Sequence, residues 1–280
     1  MTHRHHYIPE WFQKLFATSG FFVYNKETER ISKKVQYPGS LFYELNRNSA
    51  LNKGETTDVI ETGLFSYVYN LYANVVGKIV RKDLEQINDR DTLDLICFAN
   101  SIRLRNPAMD VYLQELFSKY DFSDLGYSVV DTIANRKISK SELPYIDDPL
   151  FLKSQQVLAM FAPILKDAEY MKDILNSTVV LQSKYEKCLL ADNPIVFKSL
   201  DTDITKIENF VFSISPKYTI VNIRSSRIRK FETADMLIKD TLLVSRARKY
   251  VCCSDRDYLE KAVSFCGHIS EEELVDSLFS

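Results

Sequence analysis

Glycine is scarce in this chain, with 7 among 280 residues. A glycine-rich loop that lets backbone N–H groups cradle a phosphate is therefore not expected. No apolar run approaches the roughly 18 residues that a membrane-spanning helix needs. The first ten residues are polar and rich in histidine, and lack the apolar stretch of a secretory signal, so a cytoplasmic protein is expected. No charge of one sign dominates: 36 basic residues stand against 38 acidic ones, which excludes a global pull toward nucleic acid. The five cysteines, Cys97, Cys188, Cys252, Cys253 and Cys266, are odd in number and irregularly spaced. They read as reduced core thiols, and Cys252-Cys253 with Cys266 lacks zinc-finger spacing. There is no G-x-S-x-G nucleophile motif, no internal repeat and no low-complexity tract.

What is present is apolar periodicity of two kinds. Ile8, Trp11, Phe12, Leu15 and Phe16 recur at helical spacing, with Pro9 in the first turn, where a missing N–H costs nothing. Residues 21–24 read as a strand, 25–28 as a turn and 31–36 as a partner strand. Residues 55–80 read as one long helix, with Ile60, Leu64, Tyr67, Val68, Leu71, Val75 and Ile79 at its spacing. A second helix is expected over 91–102. Asn106-Pro107 then restarts a third, an N-cap followed by proline at the first helical position. Residues 121–135 are expected to be helical, 139–149 to be a surface loop, and 148–175 to form a helix kinked at Pro163.

After Asn176 the period falls to two. Short β-rich runs are expected at 178–181, 187–190, 195–197, 210–212 and 218–221, followed by a helix over 233–249, a strand at 250–253 and helices over 256–265 and 271–279. The fold class is therefore α+β. A helix-rich stretch at 50–175 precedes a strand-rich stretch at 176–254, with an antiparallel or mixed sheet drawn from both ends of one domain spanning 1–280.

Several separated motifs, taken in order, resemble the bacterial family called domain of unknown function 4238. His6-Tyr7-Ile8-Pro9 with Trp11 and Phe16 is similar to its opening H-x-x-P element, and Phe21–Tyr24 and Phe42-Tyr43 to its next landmarks. Glu61 stands where the family places the first Glu of a long helix. Arg105-Asn106-Pro107 resembles its R-(T/N)-P element, and Ala191-Asp192-Asn193-Pro194 its S-D-N-P motif; Ser215-Pro216 and residues 234–254 follow in the expected order. Two departures stand out. The family's second helical Glu is missing at Ser66-Tyr67-Val68-Tyr69, and its serine is Ala191 here. If either of those side chains acts in chemistry, this member is altered. The family implies no substrate.

His6, Glu61, Arg105 and Asp192 are the candidate site residues, with Asp192-Asn193-Pro194 expected to pair in space with His6-Tyr7-Ile8-Pro9. A histidine and carboxylates with an arginine suit general acid–base hydrolysis, with the arginine facing developing negative charge. The expectation is a hydrolase of phosphoesters or nucleic acid, nuclease-like, in a toxin or phage-defence setting. The alternative is a non-catalytic binding or regulatory module. There Asp192 forms an Asx-type turn, His6 caps a neighbouring element and Arg105 is a buried ion-pair partner of Glu61. A divalent metal held by His3, His5 or His6 with Asp192 is a further option. Arg224, Arg227, Arg229 and Lys230 are candidate phosphate contacts, weighed against an internal match between this basic stretch and the acidic tail at Glu271-Glu272-Glu273.

Overall fold

The structure is a computed structural model; it describes residues 3–52, 55–81, 87–121, 123, 128–142, 160, 168–200, 206–223 and 232–280. The chain is α+β, and two four-stranded antiparallel sheets organise it. The first sheet joins the two ends of the chain. β2 (Phe22–Asn25) lies beside its hairpin partner β3 (Arg30–Ile31), and on its other side against β14 (Tyr250–Cys253), which in turn pairs with β10 (Leu190–Ala191). The second sheet has the order β11 (Ile195–Phe197), β12 (Phe210–Ser213), β13 (Tyr218–Asn222), β9 (Thr178–Gln182). Asp192-Asn193-Pro194 is the link between β10 of one sheet and β11 of the other. Proline ends pairing there because it has no N–H to give to a ladder.

The second sheet is buried on both faces, and its residues alternate between two cores. Ile195, Phe197, Phe210, Phe212, Tyr218 and Ile220 face one core, which also holds Phe12 and Phe98. Val196, Val211 and Val221 face the other, packed with Leu242, Leu243, Leu274 and Leu278. On the first side Phe98 is a hub, its ring 5.1 Å from Phe12, 5.4 Å from Trp11 and 5.8 Å from Phe212. It projects from a helix, Asp89–Arg105, started by a reciprocal cap between Asn88 and Asp91.

In chain order the helices are α1 (Glu10–Phe16), α2 (Ser66–Val80), α3 (Asp89–Arg105), α4 (Asp110–Lys119), α5 (Ala168–Asn176), α6 (Thr233–Arg246), α7 (Arg256–Phe265) and α8 (Glu271–Phe279). Several expectations change. The segment 121–135 is not one helix: its described end holds a hairpin, β7 (Val129–Asp131) against β8 (Arg136–Ile138). The reason is turn chemistry, for the Asp131 carboxylate accepts the N–H groups of Ile133 and Ala134 and Asn135 takes a left-handed φ of 49°. The long helix expected from residue 55 begins later. A small hairpin of β5 (Ala50–Asn52) and β6 (Glu55–Thr57) precedes it, and Ile60–Phe65 is a π-helical turn. The partner strand expected over 31–36 shrinks to Arg30–Ile31 plus one bridge, Phe21 to Gln36. That close approach needs Gly20, at φ 125°, where a Cβ would sit 2.7 Å from the Gln36 carbonyl oxygen. Of the run expected at 187–190 only Leu190 pairs, in a strand that extends to Ala191. Most of the helix expected over 148–175, with its kink at Pro163, lies outside the described residues, as does most of the loop expected over 139–149. One pairing was not anticipated: β1 (Arg4–His6) runs antiparallel to β4 (Tyr43–Leu45).

On α6 lies a fully buried ionic pair whose partners come from β12 of the second sheet and from the segment before β10. Lys239 Nζ is 2.7 Å from Asp240 Oδ1, 2.9 Å from Cys188 Sγ and 2.7 Å from Ser213 Oγ, and both charged side chains have no exposure. Tyr258 donates its hydroxyl to Asp240 at 2.7 Å. Burial pushes the Cys188 thiol up to about 11, so the cysteine is neutral and the charge balance is Lys239 against Asp240. Removing one partner strands the other in the core. Asp240→Asn is expected to lose about 3–5 kcal/mol in urea unfolding, and Lys239→Met with Asp240→Asn to lose less than the single change, because no isolated charge is left buried.

Candidate functional site

Arg105 ends α3 and is 2% exposed, so its guanidinium must find partners inside the protein. Its Nη2 donates to the backbone carbonyl of His6 at 2.7 Å and to Glu61 Oε2 at 3.1 Å. The same Glu61 oxygen accepts from Asn48 Nδ2 at 2.6 Å. The guanidinium also lies over the Phe65 ring, 4.0 Å from its centroid, and 5.0 Å from that of Tyr69. Glu61 and Phe65 both belong to the π-helical turn, and Tyr69 follows four residues on. The wider turn brings a carboxylate and two aromatic faces to one cation; such turns recur at functional sites.

The histidines divide along strand β1. His5 points inward; its Nδ1 accepts the N–H of Asn48 at 2.8 Å, so Nε2 carries the proton and faces Asp58 Oδ1 at 3.5 Å. His3 Nδ1 lies 3.2 Å from Asp58 Oδ2, and Ser49 donates to Asp58 at 2.6 Å. His6 is half-buried, turned the other way, with Nε2–H directed to the Gly39 carbonyl at 3.2 Å and its ring edge against Tyr43. Burial lowers its pKa below the ordinary 6.5. Among the described residues no group of three His, Cys, Asp or Glu side chains is arranged to hold a metal ion.

Asp192 is 3% exposed. Its Oδ1 accepts the backbone N–H of Arg248 at 2.9 Å, and its Oδ2 those of Lys249 and Tyr250 at 2.6 and 2.9 Å. These are the residues that lead into β14, so one side chain closes the turn between α6 and the first sheet. Burial pushes its carboxyl above the ordinary range while the three donors act against that rise. Its own carbonyl accepts from Asn106 Nδ2 at 2.9 Å.

The sequence-predicted residues thus meet in an indirect way. Glu61 and Arg105 form an ion pair. His6 and Asp192 share no hydrogen bond or ion pair; they are joined through consecutive residues of the R-N-P element. Arg105 holds the carbonyl of His6 and Asn106 holds the carbonyl of Asp192. Asn106 can do this because its Oδ1 also caps the short 3-10 turn Pro107–Met109 through the Ala108 N–H. Where the chain departs from the expected pattern, Ala191 is buried in a core, and in the stretch Ser66-Tyr67-Val68-Tyr69 Val68 and Tyr69 are buried while Tyr67 is exposed.

Beside the Asp192 turn lies a cavity of 360 Å³ whose lining includes Tyr7, Tyr43, Glu44, Asp192, Arg248 and Tyr250. Sequence reasoning did not select the other five as site residues. Tyr7 stood within the H-x-x-P element, but nothing in the sequence tied residues 248–250 to Asp192, since that depends on the β10–β14 register, Ala191 opposite Val251. Arg224, Arg227, Arg229 and Lys230 lie outside the described residues. Further along the chain, Arg246 pairs with Glu271 of α8 at 2.8 Å, which joins one basic residue to the acidic tail.

Fold and site together define an α+β protein built around a buried polar clamp with a cleft beside it. Residues 4–257 match the model of a family described as a protein of unknown function (DUF4238), and the chain belongs to that family. No curated protein and no solved structure matches it. Among the described residues no helix is long and apolar enough to cross a membrane.

Two outcomes follow. Asp192→Ala removes the acceptor of three backbone N–H groups and is expected to cost about 3 kcal/mol or more in chemical denaturation. His6 takes up a proton more readily in the unfolded chain than in the folded one. Stability attached to it is therefore complete above the ordinary 6.5 and falls as pH drops below it. His6→Gln should flatten that acid-side decline in melting temperature between about pH 7 and 5.

Proposed function

We propose that this protein is a non-catalytic binding module in which the His6, Glu61, Arg105 and Asp192 motifs hold the fold and shape the adjacent cleft. One observation carries this reading: the Asp192 carboxylate is buried and engaged by three backbone N–H groups. A general acid, base or metal ligand needs a reactive group that substrate can reach. Arg105 is similarly enclosed, with its charge already shared among Glu61, the His6 carbonyl and two aromatic rings. The cleft, by contrast, offers accessible groups on a rigid frame, as binding sites do.

A second reading, phosphoester hydrolysis, has a specific observation in its favour. Glu61 keeps 26% of its side chain exposed, and burial lowers the pKa of half-buried His6, which favours the neutral imidazole a general base requires. The test is a phosphodiesterase assay with bis(p-nitrophenyl) phosphate and with single- and double-stranded DNA and RNA, with and without Mg²⁺ or Mn²⁺. It is run on the wild type and on His6→Ala, Glu61→Gln and Asp192→Ala, with melting temperatures measured in parallel. No turnover, with a clear loss of stability in Asp192→Ala, is the expected result. Turnover abolished by His6→Ala or Glu61→Gln at unchanged melting temperature would replace the binding reading with the hydrolytic one.

A further inference from the structure

The cleft beside Asp192 is lined by charges of both signs and by the Tyr7 hydroxyl. Tyr7 is 8% exposed, yet its hydroxyl has no hydrogen-bond partner among the described residues, and it lines the cavity. The hydroxyl oxygen itself is not fully buried, so it can exchange hydrogen bonds with whatever enters the cavity. Asp192 and Glu44 act on it with negative charge and Arg248 with positive charge.

The charges lining the cavity decide what that visitor is. Glu27 is matched by Lys249 at 3.3 Å. Glu44 gives one oxygen to Arg47 at 2.7 Å, but Arg47 is also held by Asp110 at 2.6 Å, so the Glu44 charge is only partly offset. Arg248 is exposed and has no ion-pair partner among the described residues, while its backbone N–H is fixed by Asp192. One cation with no ion pair among the described residues therefore shares the lining with carboxylates. The lining as a whole holds three carboxylates, Glu27, Glu44 and Asp192, against two cations. A nucleotide phosphate, with about two negative charges, would add to an excess that is already negative. A simple cation would leave Arg248 repelling it. A zwitterion answers charges of both signs, and the Tyr43 and Tyr250 rings of the lining supply amphipathic walls for its side chain.

We infer that the cleft binds a small zwitterion, a free amino acid or a short peptide with both termini unblocked. Its carboxylate pairs with the Arg248 guanidinium. Its ammonium donates to the Tyr7 hydroxyl and to the free oxygen of Glu44, with Asp192 behind them. This assignment rests on the binding-module reading and gives that module its ligand class.

The experiment is isothermal titration calorimetry of the full chain against the common free L-amino acids and a set of dipeptides, with N-acetylated and C-amidated forms of any hit and with AMP as an anionic control. At least one zwitterion is expected to bind, and blocking either terminus to weaken it by about tenfold or more. Arg248→Ala should weaken it similarly and Tyr7→Phe by a few-fold, both at unchanged melting temperature, since one side chain is exposed and the other change keeps the ring. No heat from any zwitterion at millimolar concentration, binding of AMP in preference, or a hit that Arg248→Ala leaves unaffected would overturn the assignment. NMR of the recovered ligand separates this from failure of the underlying reading. An unchanged ligand supports both, whereas conversion of a bound zwitterion to product would refute the non-catalytic reading and leave the ligand class standing.

Discussion

Three backbone N–H groups converging on one buried carboxylate hold the parts of this molecule in register. A charge taken out of water is tolerated only where donors replace its hydration, and the Arg248, Lys249 and Tyr250 amides do that for Asp192. Because Asp192 lies on the link between the two sheets, the same contacts set where β14 begins, and β14 in turn pairs with β2 from the other end of the chain. Closure of the first sheet, the position of α6 and the shape of the cleft all depend on that turn.

The second constraint is the clamp made by Arg105 and Asn106. Neighbouring side chains at the end of α3 grip backbone carbonyls separated by most of the chain, at His6 and at Asp192. Hydrogen bonds from a guanidinium or an amide to carbonyl oxygens position chain segments without consuming any of the side chains being positioned. The aromatic hub on α3 makes the helix a firm base for this, since Phe98 fixes it against α1 and the second sheet. The clamp thus converts the packing of one helix into the relative placement of two distant motifs.

Much of the fold was legible from residue types alone, and the reason is periodicity. Strands such as 210–212 and 218–221 alternate bulky β-branched and aromatic residues, and the structure sends alternate members into two cores. The hairpin at Val129–Ile138 was missed because its signal is a single Asx turn at Asp131, weaker than the surrounding apolar pattern. β1 and β4 were missed because strands of three residues rich in histidine and tyrosine carry no period to read. At the candidate site two expected proximities hold: Glu61 meets Arg105, and the elements of His6 and Asp192 are tied together. The partners themselves were hidden, because carbonyl oxygens and amide N–H groups have no letter in a sequence. For the same reason the donors around Asp192, backbone groups of residues 248–250, could not be read from its motif.

Amide hydrogen exchange at Arg248, Lys249 and Tyr250 tests the role of this carboxylate most directly, with the wild type compared against Asp192→Asn. If Asp192 is the pin that holds the turn, all three amides exchange slowly in the wild type and lose their protection in the variant, in step with a loss of global stability. Rapid exchange of these amides in the wild type, or protection and stability untouched by the substitution, would contradict it.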